Sequence, residues 1–293
     1  MLKYIAFFAK VCYNINMNTF IPHSKHLHFD YLLDTSPTAE DRKGEYYCHM
    51  HNDYEVLFFY KGNADYIIEN QSYHLKTNDM LLIKPMVYHG LNVLSSEPYE
   101  RCVFNFARII LSEEQLAIID KSNPIYHIDE HSPIRHIFDT LRACEKVLTE
   151  QEFEYMKTSS LYNILATLHH LPAGKRPSKS ESTKLDEILE YIHSHPELPL
   201  NTQTLGERFF VSKSWIDHTF KTHLKMSTKQ YINQKKVLYA QSLILSGLPI
   251  TEVAERCNYK NYTTFYRQYV CFLGHEPYQD RKDLIVPKSH KKK

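Results

Sequence analysis

The sequence predicts an α+β chain: an antiparallel β-sandwich or small barrel with trailing helices, then an all-α half built on two helical hairpins. Three observations predict it. From about Asn18 to Ala107, short apolar runs alternate with turn residues, the pattern of many short packed strands. From residue 111 the apolar period changes from two to about 3.6. Beyond Thr183, two segments each read as a short helix, a tight turn and an amphipathic helix, with one long helix between them.

In chain order, Met1 to Ile15 is apolar but interrupted by Lys3 and Lys10. It is too short for a membrane span and a poor signal peptide. Residues 1–17 are therefore expected to be loosely docked, with Met17 as an alternative start. The barrel is expected over residues 18–110. Its runs include Val56 to Tyr60, Ala64 to Ile68 and Met80 to Ile83, separated by turn signals at Lys61-Gly62-Asn63, Glu69-Asn70-Gln71, Thr77-Asn78-Asp79 and Lys84-Pro85. Residues 111–171 are expected to be helical and to cover the barrel or pair with a second protomer. The helices there are Ser112 to Asp120 behind a serine cap, Pro133 to Leu148, and Glu152 to Leu171. The last carries Tyr155, Leu161, Tyr162, Leu165 and Leu168 as an apolar stripe. Residues 172–182, rich in Pro, Gly and Ser, read as a linker.

The second half is expected over residues 183–285. Thr183 caps a helix from Lys184 to His193 whose buried stripe is Leu185, Ile188, Leu189 and Ile192, and His195-Pro196 ends it. In the first hairpin Leu205, Phe209 and Phe210 form an apolar face, and Val211 lies in the turn. Ser212 caps a helix from Lys213 to Lys221, with Trp215, Ile216 and Phe220 inward and Lys213, Ser214, Asp217 and His218 outward. Ser227 to Ser246 reads as one helix with Tyr231, Val237, Ala240, Leu243 and Ile244 inward, stopped by Gly247 and Pro249. The second hairpin has Val253 and Ala254 inward and a turn at Asn258, a residue type that accepts φ > 0. Phe265 and Tyr269 then share one face and Tyr262, Thr263, Tyr266 and Arg267 the other. Residues 286–293 are a basic tail.

The outward residues of both hairpins are donors, acceptors and stacking planes, the types that reach base edges and phosphates. A connecting helix of about twenty residues spans roughly 30 Å, close to the 34 Å repeat of duplex DNA. Two such hairpins therefore suit successive major grooves. Charge agrees: Lys and Arg outnumber Asp and Glu by 17 to 11 from Thr183 onward but trail 18 to 23 before it, although the whole chain is +1. The cysteines, at 12, 48, 102, 144, 257 and 271, make no Cys-x-x-Cys pair or zinc-finger spacing. They read as reduced thiols of a cytoplasmic protein.

Residues 200–281 resemble the AraC/XylS family of transcription regulators, most densely in Ser212 to Lys221, Tyr231 to Ala240 and Ile250 through Gly274-His275-Glu276-Pro277. The resemblance implies that Ser214, Asp217 and His218, then Tyr262, Thr263, Tyr266 and Arg267, face bases, with Asp217 accepting from a cytosine amino group. Lys213 is expected beside them. The chain departs from the family pattern at Asn258-Tyr259 (Gly-Phe), Lys236 (Arg) and Val270 (Lys). In the barrel, His49-x-His51-x3-Glu55-x6-Gly62 followed by Pro85-x3-His89 is similar to the two cupin motifs, which implies a jelly-roll barrel as effector domain.

In metal-binding cupins such a set holds the ion, so His49, His51, Glu55 and His89 are the metal candidates. Their residue types suit divalent Fe, Mn, Ni or Zn. The expectation is instead that no metal or other cofactor is bound. On that view Tyr47, His49, His51, Glu55, Tyr88 and His89 wall a pocket for a small-molecule effector, with a carbohydrate suiting that composition. The partners expected are double-stranded DNA, the effector, a second copy of the chain and RNA polymerase, with no membrane and no catalysis. The competing expectation is a metal-dependent cupin enzyme, an oxygenase or sugar isomerase, with a helical accessory domain.

Overall fold

The computed structural model describes residues 27–35, 48–171 and 183–283. The N-terminal segment, the 172–182 linker, the basic tail and Tyr47 lie outside the described residues.

Strands β1 (Leu27–Asp34), β2 (Tyr54–Lys61), β3 (Ala64–Ile68), β4 (Gln71–His74), β5 (Asp79–Ile83), β6 (His89–Val93), β7 (Tyr99–Phe106) and β8 (Ile125–His127) form two antiparallel sheets. The larger runs β1-β7-β2-β5-β8, the smaller β4-β3-β6. Strand β2 explains the layering. Its apolar run has no polar face, so both faces must be covered. Leu57 and Phe59 pack toward the small sheet with Tyr66, Tyr73 and Leu91. Val56, Phe58 and Tyr60 pack the other way, on the helices.

Those helices are α1 (Glu113–Asp120), α2 (Pro133–Cys144) and α3 (Glu150–Thr167). Ser112 caps α1 in a capping box closed by Gln115. Helix α3 starts two residues earlier than its stripe suggests, because Thr149 and Glu152 form another such box. It ends in a 3-10 turn over Leu168–His170, and α2 stops four residues short of the expected Leu148.

The second half contains α4 (Lys184–Ser194), α5 (Thr202–Phe209), α6 (Lys213–His223), α7 (Thr228–Leu245), α8 (Ile250–Arg256), α9 (Tyr262–Leu273) and α10 (Pro277–Asp283). The expected stripe of α4 is buried in full, and Thr183 caps it with Asp186. Helix α7 serves two cores. Its Tyr231, Ile232 and Leu238 pack with α4, α5 and α6, and its Val237, Ala240 and Ile244 pack with Val253, Ala254, Phe265 and Tyr269. Asn258 takes the expected left-handed conformation, φ 52.

Two expectations fail in the first hairpin. Phe210 does not join the apolar face: it is the left-handed C-cap of α5, φ 57, and stands 95% exposed. Leu205 and Phe209 share a face at a spacing of four, and one further residue turns away by about 100°. Trp215 is likewise exposed, at 37%, because Ile216, Thr219 and Phe220 make the inner stripe of α6. The turn between the helices is close. A Cβ on Gly206 would stand 2.8 Å from the Val211 carbonyl oxygen, so only glycine fits there unchanged.

Candidate functional site

On α6, Lys213, Ser214, Asp217 and His218 are all exposed, as are Tyr262, Thr263 and Arg267 on α9; Tyr266 is half-buried. Three of these side chains are already engaged, His218 through its Nε2 and the Thr222 hydroxyl at 3.5 Å. The Asp217 carboxylate accepts from the Thr228 hydroxyl at 2.8 Å and from Thr202 at 3.4 Å, tying α6 to the start of α7. Tyr266 donates to Glu276 at 2.8 Å. Asp217 and Tyr266 therefore also brace their own units, a double role that spacing could not reveal. The departures from the family pattern meet each other: the Lys236 ammonium lies 5.4 Å from the centre of the Tyr259 ring. The half-buried lysine thus has an aromatic face beside it.

In the barrel the structure gathers His49, His51, Glu55 and His89. The ligand atoms of the three imidazoles lie within 4.8 Å of one another. Glu55 Oε2 is 3.5 Å from His51 Nε2 and 3.7 Å from His89 Nε2. Strand β2 presents Glu55 inward, while His49 pairs backbone to backbone with His89, N to O at 2.7 and 3.0 Å. That pairing needs Gly90, since a Cβ there would meet the Cys48 Cα at 2.6 Å. Tyr66 donates to Glu55 Oε1 at 2.8 Å. Burial pushes the Glu55 carboxyl up, but the two neighbouring imidazoles outweigh it and hold the group well below the usual range. Burial lowers His51, and Glu55 more than reverses that. A cavity of about 230 Å³ opens beside the cluster, with Asp30, His49, Glu55, Tyr66, Arg101 and Asn105 in its wall.

Of the expected pocket wall, His49 and Glu55 line the cavity, His51 and His89 join the cluster without lining it, and Tyr88 is a correction. It does not line that cavity; its ring packs among the helices of the second half and its hydroxyl donates to the Leu224 carbonyl at 2.8 Å. Tyr88 stands immediately before β6 and packs away from the cluster that its neighbour His89 joins.

Sequence reasoning missed the contact between the halves. Glu69, left-handed at φ 50 in the β3–β4 turn, accepts from Tyr231 at 2.6 Å and from Lys235 at 2.8 Å. The fully buried Lys235 ammonium also donates to the Met86 carbonyl at 2.6 Å and lies 3.3 Å from His193 Nδ1. Burial lowers the Lys235 pKa, and Glu69 only partly restores it. Asn52 reaches the Leu238 carbonyl at 2.6 Å and Gln241 at 2.9 Å. One signal was present: Lys235 shares a helical face with Tyr231, so a buried partner had to exist.

Among the described residues no helix is long and apolar enough to cross a membrane. Residues 39–165 match the family model of an AraC-like ligand binding domain, and residues 205–283 that of a helix-turn-helix domain. The uncharacterized HTH-type transcriptional regulator YdiP of Escherichia coli is 23% identical over 84% of this chain and 84% of its own length. The HTH-type transcriptional activator RhaR of Salmonella arizonae is 20% identical over 80% of this chain and 86% of its own. Among solved structures, ToxT from Vibrio cholerae is 12% identical, with 89% of this chain and 100% of that one covered at a TM-score of 0.39. A ligand-binding domain followed by a helix-turn-helix domain, in relatives that are regulators rather than enzymes along most of their length, places this chain in the AraC family of DNA-binding transcription regulators.

Proposed function

We propose that the chain acts as a cytoplasmic homodimer that sets α6 and α9 in successive major grooves of a specific operator when a small polar effector occupies the barrel. The observation that carries this is the arrangement around α7. One unbroken helix of 18 residues, about 27 Å long, is packed into the cores of both hairpins. Rigid spacing of this kind supports reading two grooves on one side of a duplex. Base contacts are assigned to Ser214, His218, Tyr262, Thr263 and Arg267, and Lys213 is assigned to phosphate. Asp217 and Tyr266 contribute whatever acceptor capacity their internal hydrogen bonds leave.

The cavity wall of Asp30, His49, Glu55, Tyr66, Arg101 and Asn105 is rich in donors and acceptors, which supports a polyhydroxy ligand such as a carbohydrate. RhaR is named an activator, and activation through RNA polymerase is extended to this chain on that likeness. The two-fold symmetry common among helix-turn-helix binders supports the dimer. Selection of bound sites from random duplexes with the full chain tests the reading. Enriched sites should contain two short blocks roughly one helical turn, about 10 base pairs, apart. Binding with no enriched sequence would sink it.

A further inference from the structure

The first hairpin exposes two large aromatic side chains at the entrance of α6. Phe210 stands 95% exposed and Trp215 37% exposed. The apolar needs of the hairpin are met by others: the Phe209 ring centre lies 5.6 Å from that of Tyr191, and the inner stripe of α6 consists of Ile216, Thr219 and Phe220. Phe210 carries a second cost. It takes the left-handed conformation at φ 57, where a Cβ crowds the backbone, so glycine or asparagine usually ends a helix this way and a bulky residue is an outlier. Strain held by a side chain that stands in water points to a task outside the fold.

The second hairpin supplies the contrast. Its turn takes the same conformation with Asn258, φ 52, a residue type that tolerates it. Both recognition helices are capped alike, Ser212 accepting the Trp215 N–H at 3.1 Å and Asn261 the Thr264 N–H at 2.8 Å. The capped position is therefore an exposed indole in α6 and a half-buried threonine in α9. Polar groups are distributed the other way. In α6 Asp217 is bonded to Thr228 and Thr202, and His218 to Thr222, whereas α9 holds Tyr262, Thr263 and Arg267 exposed.

The cap fixes Trp215 in the first turn of α6, beside Ser214 and about one turn before His218. In helix-turn-helix units the first turn of the recognition helix meets base edges in the major groove. The apolar group displayed there is the thymine 5-methyl, which takes contact from aliphatic or aromatic side chains. The aromatic pair is continuous with the DNA-reading face. It also lies in the half of the chain with excess positive charge, 17 Lys and Arg against 11 Asp and Glu from Thr183 onward, so a DNA duplex is the partner that suits it.

We propose that Trp215 and Phe210 bury thymine 5-methyl groups when α6 enters the major groove, so that the first hairpin reads its block of the operator chiefly by thymine methyls and the second by polar bonds. This rests on the proposed docking of α6 and α9 in successive grooves. Trp215 and Phe210 are then specificity residues beyond the polar set of Ser214, His218, Tyr262, Thr263 and Arg267.

The test uses the full-length protein and the operator selected from random duplexes. Each thymine is replaced in turn by deoxyuridine, which removes only the methyl group, and affinity is read by fluorescence anisotropy. At one or two thymines within a single block the unaltered chain should bind about fourfold more weakly, the effect of uncovering one buried methyl-sized group. Trp215→Gln should weaken binding to the intact operator and abolish the methyl effect at its thymine. Phe210→Asn should do the same with a urea midpoint no lower than that of the unaltered chain, because asparagine tolerates the left-handed turn. A selected operator with no methyl effect in either block, or an effect that persists in both variants, overturns the proposal. Loss of the effect in one variant alone keeps that residue and removes the other. Variants that bind every duplex like the unaltered chain while transcription from the operator falls also overturn it, and put a protein surface on the pair instead. Where one variant fails to fold, the deoxyuridine scan of the unaltered chain and the other variant decide. Selection that enriches no sequence brings down the groove reading and this proposal together, whereas an enriched operator without methyl effects sinks the proposal alone.

Discussion

Arg267 stands exposed on α9, one helical turn beyond Thr263. Arg267→Ala is expected to relax preference at one operator position by about 1 to 3 kcal/mol, if its guanidinium forks onto a guanine. Affinities for single-base operator variants check it; an equal loss on every variant marks a phosphate contact instead. His193 carries a pH effect. Burial and then the Lys235 charge lower its pKa, with Glu69 and Glu190 opposing. Unfolded, the ring titrates near its ordinary 6.5, so between that value and the lower folded one the unfolded chain binds the extra proton. Stability should therefore fall as pH drops from above 6.5 through the folded value. The difference in urea midpoint between the unaltered chain and His193→Gln across roughly pH 7.5 to 5.5 should show this slope, since the raised His51 contributes the opposite sign in both proteins.

At the scale of elements, the caps and stripes were plain in the sequence. Ser112, Thr183 and Ser212 each accept from a backbone N–H in the first turn of the helix they open, because short polar side chains satisfy the otherwise orphaned donors there. The first hairpin's turn was less legible. No glycine or asparagine marks it, and Phe210 takes the left-handed position instead. Gly206 makes the close packing workable on the other side of that turn. Gly206→Ala should destabilise the helical half by about 1 to 3 kcal/mol, the usual cost of overpacking, and weaken operator binding. Denaturant curves with the isolated change check it, and an unchanged midpoint would show that Val211 moves aside freely. Helix ends were the least legible features: α2 and α3 stop where local capping and 3-10 geometry permit, not where the apolar pattern fades.

For the whole molecule, the halves are joined by polar contacts around α7. Glu69 reaches Tyr231 and Lys235, and Asn70 and Gln71 reach Asp186 at 3.4 Å. Removing the carboxylate strands a buried ammonium, a change worth about 3 kcal/mol when the charge stays unpaired. Glu69→Ala should therefore split a single unfolding transition into two, the helical half and the barrel melting apart. Calorimetry checks this, and one unchanged transition would mean the apolar contacts of Met50 and Tyr88 hold the halves by themselves.

The sequence alone determined the strand-then-helix order, the paired hairpins, the rigid spacer and the His-x-His, Glu, His inventory. Each of these is written in local periodicity, capping chemistry or motif spacing. Tertiary structure decided which of those residues have partners: that Asp217 braces α7, that Tyr88 turns away from the cavity, that two histidines converge on one carboxylate oxygen, and that Glu69 meets Lys235 across 166 positions of chain. Such pairings depend on distances set by packing between remote segments, and nothing in a residue's own neighbourhood encodes them.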